Sequence, residues 1–329
     1  VDGKRIYEAS GLAMRIVSGG TPDTPTRHID PATDTWLRDH CPTWTLPALP
    51  MMSMVDLMAQ AASAADPVTG LQDVRVKGWL TFDGPRTMRI DRSGDSVRLV
   101  TVDIEGAGAD VATARVHTGS YASRPAALDR LDGPEAPSPY ASGALFHGPA
   151  FQVMESLVRT AQGASSVLRI PGTRSPGPRV PAGRVAPVLL DAATHGIPHD
   201  QLHIWFPDIS PDKVAYPAFI PQMHFYAAPP TAGTVRCEVR PAGTLGSPDF
   251  PMFDVQLITA DGVWCAFRLV ESCFPKGALG RAAPGDRRAF LRDRQFVQGL
   301  RTSVGTEGET HLTHADVDGI DWLPGTVET

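Results

Sequence analysis

The chain has 329 residues, which is enough for two domains or for one large duplicated domain. Hydrophobic residues make up 42% and charged residues 20%, a composition that fits a globular protein and excludes a disordered tail. The formal net charge of −6 argues against a nucleic-acid binder, because phosphate contacts need a clear basic excess. No run reaches the roughly 18 apolar residues of a membrane span. We therefore expect neither nucleic acid nor a membrane among the partners.

The cysteines indicate a reducing compartment. Cys41, Cys237, Cys265 and Cys273 are far apart and form no CxxC pattern, so neither a disulfide framework nor a zinc site is indicated. A cytoplasmic setting follows, and no secretory signal is present at either end. Because the chain starts at Val1 without Met and ends on polar sequence, we expect it to be a piece of a longer polypeptide.

The first half is predicted to be one buried helix followed by strands. Met51 to Ala65 has apolar residues at helical spacing and is nearly apolar all round, so this helix should lie in the core. Its methionines are core filling, and their softness would suit a tunnel for a flexible acyl chain. Val, Ile and Thr separated by Gly and Asp turns then predict strands over 74–82, 87–91, 96–105 and 111–118.

The same order of elements repeats after a proline-rich linker, Arg124 to Pro139. A short apolar stretch, Val188 to Thr194, opens a second helix, and strands follow over 216–226, 234–240, 252–260 and 263–273. Two copies of helix plus antiparallel sheet imply an internal duplication whose copies have diverged. We predict an N-terminal unit over residues 1–137, a C-terminal unit over 138–284 and an extension or interdomain linker over 285–329.

The extension holds one amphipathic stretch, Arg287 to Leu300, within a locally basic segment. The default interpretation of its arginines is a solvated helix face, and docking of an acidic carrier protein is the alternative. The arginines are at positions 281, 287, 288, 292, 294 and 301.

Three short segments combine titratable groups with apolar neighbours. The first runs from Asp39 to Pro42 and holds His40, just before the buried helix. The second runs from Leu145 to Gln152, at the start of the second copy. The third runs from Pro187 to His195, at the head of the second helix.

Together these segments resemble the dehydratase domain of type I polyketide synthases and polyunsaturated fatty acid synthases. That family carries the motifs HxxxGxxxxP, YGPxFQ and LLDAxxQ/H in this order. Here Leu189 to Ala192 with His195 match the third motif, and Gly148 to Gln152 match the second, with His147 in place of its Tyr. The first motif is partial, because His40 is followed by Trp44 at the Gly position and its proline falls one place late, at Pro50.

The resemblance covers roughly residues 30 to 275 and implies a double hotdog, an α+β fold of two tandem units that each wrap an antiparallel sheet around a central helix. It implies a hydro-lyase that removes water from 3-hydroxyacyl thioesters on an acyl carrier protein and releases 2-enoyl thioesters. The partners it implies are the carrier protein with its phosphopantetheine arm, neighbouring synthase domains and a second copy in a homodimer. No cofactor and no metal is expected.

Dehydration needs a base for the C2 proton and an acid for the C3 hydroxyl. A neutral imidazole suits the first task, because its unperturbed pKa is about 6.5. A carboxyl group suits the second if burial raises its pKa. We therefore assign His40 as the base and Asp191 as the acid, with apolar walls from Leu46 to Met54 and from Val185 to Leu190.

The remaining site assignments concern orientation and charge. His195 matches the family position that orients the acid, and its spacing of four from Asp191 permits that contact on a helix. Backbone N–H groups around Pro50 to Ser53, at the start of the buried helix, would stabilise the enolate oxygen. The tunnel and oxyanion residues are assigned as Trp44, Met51, Met52, Phe146, His147, Gly148 and Pro149.

Each assignment has a plainer interpretation. His40 alone would be a solvated loop histidine, Asp191 a helix N-cap, and Gly148-Pro149 a structural turn. His195, His199 and His203 are spaced by four as metal ligands on a helix would be, but intervening Gly and Pro residues disfavour that helix.

Three functional interpretations stay open beside dehydration. The first is a fold-intact domain that binds the acyl carrier or shapes the assembly but dehydrates poorly, because the motif departs at Trp44 and Pro50 and a Trp could narrow the tunnel. The others are a thioesterase and a double-bond isomerase on the same fold.

Overall fold

A computed structural model describes the side chains of residues 26–42, 46–62, 65–102, 108–172, 179–276 and 282–291, except that of residue 284, and the backbone of 301–304 and 308–311. Among these residues no helix is long and apolar enough to cross a membrane. Trp44 lies outside the described residues, as does most of the predicted helical stretch beyond residue 291.

Eleven strands form one continuous antiparallel sheet in the order β1-β3-β4-β5-β2-β8-β11-β10-β9-β7-β6. The first five strands in this order come from residues 26–118 and the other six from residues 154–275. They are β1 Thr26–Ile29, β2 Val68–Val76, β3 Arg86–Ser93, β4 Ser96–Val102, β5 Gly108–Thr118, β6 Met154–Thr160, β7 Gly163–Arg169, β8 Lys213–Phe225, β9 Thr234–Thr244, β10 Pro251–Thr259 and β11 Gly262–Pro275. A separate hairpin pairs β12 Arg301–Val304 with β13 Gly308–His311.

The first central helix, α1, spans Met51–Gln60 and packs against β2, β4 and β5. Only its last residue, Gln60, is exposed, which confirms the prediction of a buried helix. It ends earlier than expected, since two arginines bind the carbonyls that follow it: Arg92 donates to the Ala61 oxygen at 3.0 Å and Arg184 to the Ala62 oxygen at 3.1 Å. Such contacts satisfy carbonyls that no further helical turn would bond.

The second central helix, α2, spans Pro187–Ala192 and contacts α1. Its N-cap is Ala186, so the alternative in which Asp191 is the N-cap is wrong. A third helix, α3, spans Pro284–Leu291 and includes the start of the predicted amphipathic stretch.

Several strand predictions needed correction. The strand predicted over 74–82 is β2, which begins at Val68 and ends at Val76, and the three strands β1, β6 and β7 were not predicted at all. In β7 two polar residues, Ser165 and Ser166, are buried, and Ser165 donates a hydrogen bond to the buried Glu238 carboxylate. Because buried positions of this strand are polar, no alternation of apolar and polar residues marks it in the sequence. The linker, 124–139, has no regular element. It is held to the second half by an isolated bridge from Glu135 to Val158 and by hydrogen bonds such as that from the Leu131 N–H to Ser165 Oγ at 2.8 Å.

The two halves join where β2 pairs antiparallel with β8. Gly70 sits at this seam, and a Cβ there would lie 2.5 Å from the Met223 carbonyl oxygen, so only glycine permits the close approach. The arrangement is the expected pair of helix-and-sheet units. The division into domains at residues 137 and 284 stays a prediction.

Candidate active site

His40 is positioned by the turn of 3-10 helix that precedes it and by its hydrogen bonds with Ala48. The 3-10 helix Thr35–Asp39 ends at His40, whose N–H donates to the Leu37 oxygen. Its ring nitrogen Nδ1 lies 2.7 Å from the Ala48 carbonyl oxygen and therefore carries the proton. The lone pair of the imidazole is then on Nε2. The side chain is buried, so the solvated-loop interpretation is wrong.

The segment that holds His147 is bound directly to the residue before His40. The Gly148 N–H donates to the Asp39 carbonyl oxygen at 2.7 Å, and the Ala150 N–H donates to Asp39 Oδ2 at 2.8 Å. A Cβ at Gly148 would lie 2.3 Å from Asp39 Oδ1, so the position requires glycine. These contacts bring the His147 ring to 5.2 Å from the His40 ring, measured between centroids.

Asp191 is carried by α2, and α1 fixes the segment that leads into α2. The buried Asp56 carboxylate of α1 accepts hydrogen bonds from the N–H groups of Arg184 and Val185, at 2.6 and 2.9 Å. Ala186 then takes a left-handed conformation with φ 53°, and Pro187 begins the helix. The start of α2 is therefore held beside α1, and the two central helices contact each other.

Two histidines hold the Asp191 carboxylate. His195 Nε2 lies 3.2 Å and His147 Nε2 lies 3.3 Å from the same oxygen, Asp191 Oδ2. The other nitrogen of His195, Nδ1, lies 2.8 Å from the Tyr140 hydroxyl. Tyr140 therefore donates to Nδ1 in the tautomer that leaves Nε2–H for Asp191.

His40, His147 and Asp191 form one buried cluster. One nitrogen or oxygen of each lies within 4.8 Å of the others. The sequence-assigned pair, His40 from the first half and Asp191 from the second, thus meets across the junction of the two halves. Their catalytic roles stay a prediction.

The prediction that burial leaves Asp191 with a raised pKa is wrong. Burial raises the pKa of this carboxyl, but the hydrogen bonds from His147 and His195 lower it by more, and its pKa lies below the usual range. Burial lowers the pKa of His40, and it lowers the pKa of His147 well below its usual value. The resting site therefore holds a carboxylate among uncharged His40 and His147 imidazoles.

The cluster opens onto a cavity of about 150 Å³ at the junction. Met51, Met52, Phe146 and His147 line it, as assigned. Gly148 and Pro149 are not among the lining residues, and the Gly148 N–H bonds Asp39 instead. The expected wall over 185–190 does not line the cavity either, because Val185 and Val188 to Leu190 are packed in the hydrophobic core. The second wall comes from Val214, Ala215, Tyr216 and Pro217 of β8.

Of the backbone N–H groups assigned to stabilise the enolate oxygen, those of Met51 and Met52 are left as candidates. Pro50 is the N-cap of α1 and has no N–H, while the Ser53 N–H already donates to the Pro50 oxygen at 3.0 Å. Met51 and Met52 are the first residues of the helix, where amides have no carbonyl partner within the helix. The Gly148 amide is taken by Asp39 and drops out of the assignment.

Sequence reasoning missed several cavity residues. Trp79 lines the cavity from the first half and meets Tyr216 of the second half edge-on, with ring centroids 5.1 Å apart. His199, Lys276 and Arg287 line it as well. These residues carry no motif. The pairing of β2 with β8 joins the half that holds Trp79 to the half that holds the other three. Tyr140 directly follows the predicted linker and stands in no motif, although it is buried against His195.

The three histidines spaced by four do not form a metal site among the described residues. His195 binds Asp191, and His199 lies 3.0 Å from Glu271, on the other side of the turn after α2. The donor set close enough to hold an ion is instead His40, His147 and Asp191.

Residues 119–267 match the family model described as the polyketide synthase dehydratase N-terminal domain. Among curated proteins, a phenolphthiocerol/phthiocerol polyketide synthase component of Mycobacterium tuberculosis and its counterpart in Mycobacterium bovis are each 30% identical over 184 residues. The match covers 49% of this chain and 10% of each relative, so the chain spans about a tenth of the length of these synthase polypeptides.

Solved structures show the same fold. GphF Dehydratase 1 matches with a TM-score of 0.60 at 17% identity, over 75% of this chain and 92% of that one. The dehydratase domain from the CurJ module of curacin polyketide synthase matches with a TM-score of 0.57 at 13% identity, over 76% and 91%. A trans-acyltransferase polyketide synthase enoyl-isomerase matches with a TM-score of 0.56 at 12% identity, over 76% and 99%. The predicted double hotdog is confirmed.

Proposed function

This chain is related to the polyketide synthase dehydratase domains, and on that premise we propose that it removes water from 3-hydroxyacyl thioesters to give 2-enoyl thioesters. The substrate is carried on the phosphopantetheine of an acyl carrier protein. The observation that carries the proposal is the convergence of His40 and Asp191, from opposite halves, on one buried cavity.

His40 acts as the base. Its Nδ1–H is held by the Ala48 carbonyl oxygen, so Nε2 offers a lone pair whose direction is fixed. Burial keeps the pKa of the imidazole below its usual value, so the base is uncharged at neutral pH. Nε2 takes the C2 proton of the substrate, which the thioester carbonyl acidifies, and the electron pair moves toward that carbonyl.

The first-turn amides of α1 face the charge that this step creates. The N–H groups of Met51 and Met52 are free of helical partners and lie at the positive end of the helix, and both residues line the cavity. They stabilise the enolate oxygen by hydrogen bonds that strengthen as charge develops.

Asp191 supplies the proton for the departing hydroxyl. The resting site holds no spare proton, because Asp191 is a carboxylate and the His40 and His147 imidazoles are uncharged. The proton that His40 takes from C2 therefore passes to Asp191, since donor atoms of the two side chains lie within 4.8 Å of each other. Asp191 delivers it to the C3 oxygen, the C3–O bond breaks and water leaves, so the protons balance over one turnover.

No cofactor is used in these steps, since both proton transfers run between side chains and substrate. The carrier protein and the neighbouring synthase domains are the proposed partners, with a homodimer as the assembly and the cytoplasm as the location. The dimer follows from the family resemblance alone.

The test is turnover of a 3-hydroxyacyl carrier protein or pantetheine thioester, followed by mass spectrometry for an 18-dalton loss. We expect His40→Ala and Asp191→Asn to lower kcat by about 10²–10⁴-fold, the usual worth of a positioned proton-transfer group. His117→Gln, at an exposed histidine of β5, is the matched control and should turn over normally.

Each other outcome identifies a different function. Full activity of both site variants contradicts the assignment of His40 and Asp191. Free acid in the product indicates a thioesterase, and a shifted alkene without net loss of water from an enoyl substrate indicates an isomerase. A folded wild type that binds the carrier but releases no alkene indicates a domain that does not dehydrate.

A further inference from the structure

The buried cluster has the composition of a transition-metal site. His40, His147 and Asp191 supply two imidazoles and a carboxylate, with one donor atom of each within 4.8 Å of the others. All three residues are more than nine-tenths buried. Ligands bound to zinc at about 2.0–2.1 Å lie about 3.3 Å apart in a tetrahedron, so no pair has to close by more than about 1.5 Å. Binding requires side-chain rotation to close that distance.

The surrounding contacts orient two of the donors as metal sites require. The Ala48 carbonyl fixes Nδ1–H of His40 and leaves Nε2 directed into the cluster. His195 holds the Asp191 carboxylate and is itself held by the Tyr140 hydroxyl. Partners of this kind set the tautomer and orientation of ligands in metal sites.

His147 is the donor that distinguishes this chain. It occupies the place of the Tyr in the YGPxFQ motif, where a phenol would offer no imidazole nitrogen. Its Nδ1 atom is buried and has no hydrogen-bond partner among the described residues, so the ring has binding capacity that the fold leaves unused. Rotation of the ring would present either nitrogen to an ion.

We propose that His40, His147 and Asp191 bind one divalent transition-metal cation of the Zn²⁺ class, and that this cation competes with the thioester substrate. Two imidazoles and one carboxylate with an open fourth position suit such ions. The cavity supplies the open position. Coordination occupies the lone pair of His40 Nε2, so the bound ion blocks removal of the C2 proton. The competition, though not the binding, rests on the proposed function.

Binding is tested on the whole chain after treatment with EDTA and removal of the chelator, by calorimetric titration with ZnCl₂ and metal analysis of the dialysed complex. We expect one ion per chain. His147→Tyr, His40→Ala and Asp191→Asn should each weaken the affinity by more than 100-fold, whereas loss of an orienting partner through His195→Gln should weaken it by about 10–100-fold. His117→Gln is the control and should bind as wild type does.

A second readout uses Co²⁺ in place of Zn²⁺, whose visible absorption reports the coordination. We expect bands of a four-coordinate ion in wild type and their loss in His147→Tyr. Stoichiometric binding that survives the three ligand variants would place the ion elsewhere and overturn the proposal, as would the absence of binding by a folded wild type.

Competition is measured as the ratio of dehydration rates with and without Zn²⁺ in each variant. Wild type should be inhibited, with an apparent KM that rises with the ion, and the residual activity of His147→Tyr should be insensitive to it. Equal inhibition of both contradicts the proposed competition. Alkene formation by the EDTA-treated wild type tests dehydration separately, so failure of the cation site and failure of the proposed function give different results.

Discussion

At the scale of single residues, the site depends on a chain of contacts that ends at Asp191. Tyr140 is a positioning residue, because its hydroxyl donates to His195, and His195 in turn donates to the Asp191 carboxylate. We expect Tyr140→Phe to lower kcat by about 2–10-fold, the equivalent of one hydrogen bond of roughly 0.5–1.5 kcal/mol, with KM nearly unchanged. Steady-state kinetics on the 3-hydroxyacyl thioester measures the split.

The matched variants for this chain of contacts are His195→Gln and Tyr226→Phe. Glutamine keeps an N–H donor for Asp191 and should retain more activity than His195→Leu, while Tyr226 lies outside the cavity and its loss of a hydroxyl should change nothing. A Tyr140→Phe enzyme whose KM changed while its kcat stayed that of wild type would contradict a role through His195.

His40, Asp191 and His195 were predicted from motifs, and the structure brings them together. Tyr140 and Trp79 were not predicted, since neither stands in a motif and each meets its partner only through the tertiary fold. The pKa of Asp191 was predicted to be raised, whereas it is lowered. The burial of Asp191 was predicted, but the sequence did not show that His147 would be a second histidine donor to its carboxylate.

At the scale of the elements, the turn over 147–151 is the connection between the two halves of the site. Gly148→Ala would place a methyl group 2.3 Å from Asp39 Oδ1 and force Asp39 away from the Ala150 amide. We expect a loss of about 1–3 kcal/mol in unfolding free energy, together with lower kcat because His147 shifts. Gly78→Ala is the control, since nothing lies within 4 Å of a Cβ there. Equal unfolding curves for the two variants would contradict this packing.

The entry to α2 gives a stabilising prediction. Ala186 has φ 53°, in the left-handed region, directly before Pro187. Glycine adopts this conformation without the clash that Cβ makes, so Ala186→Gly should raise the unfolding free energy by about 0.5–1 kcal/mol. Ala61→Gly, at a right-handed position after α1, should lower it. Chemical denaturation of both variants decides the sign.

Elements with strong local patterns were predicted, and those without them were not. α1 and the strands β3, β4, β5 and β8 to β11 carry apolar or β-branched residues at the right spacing, and the prediction found each of them. β1 has four residues and β7 buries two serines, so neither shows the alternation that marks a strand. α1 ends earlier than predicted at a point where Arg92 and Arg184 bind the carbonyls that follow it.

At the scale of the whole molecule, the β2–β8 seam makes one sheet from two halves and places the cavity at their junction. The duplication was visible in the sequence as a repeated order of elements. The pairing itself was not visible, because the approach of Gly70 to the Met223 carbonyl involves residues more than 150 positions apart.

A buried pair ties the turn after α2 to this joined sheet and makes stability depend on pH. His199 lies 3.0 Å from Glu271 of β11 and 3.0 Å from the Thr194 oxygen, and Glu271 is fully buried. Burial lowers the pKa of His199, but the Glu271 carboxylate, with a contribution from Asp200, raises it by more, so its pKa lies above the usual value. The charged imidazole is therefore bound more tightly in the folded chain than in the unfolded one.

Because the folded pKa of His199 is raised, its stabilisation is fully present below the unfolded value of about 6.5 and is lost as pH rises through the folded value. We expect the melting temperature of wild type to fall over that interval, and Glu271→Gln, which keeps a hydrogen-bond acceptor without the charge, to show a flatter profile. Thermal unfolding of both proteins from about pH 5.5 to about pH 9 measures the difference. Parallel profiles would mean that His199 is uncharged beside Glu271, and that the pair contributes to packing but not to the pH dependence of the fold.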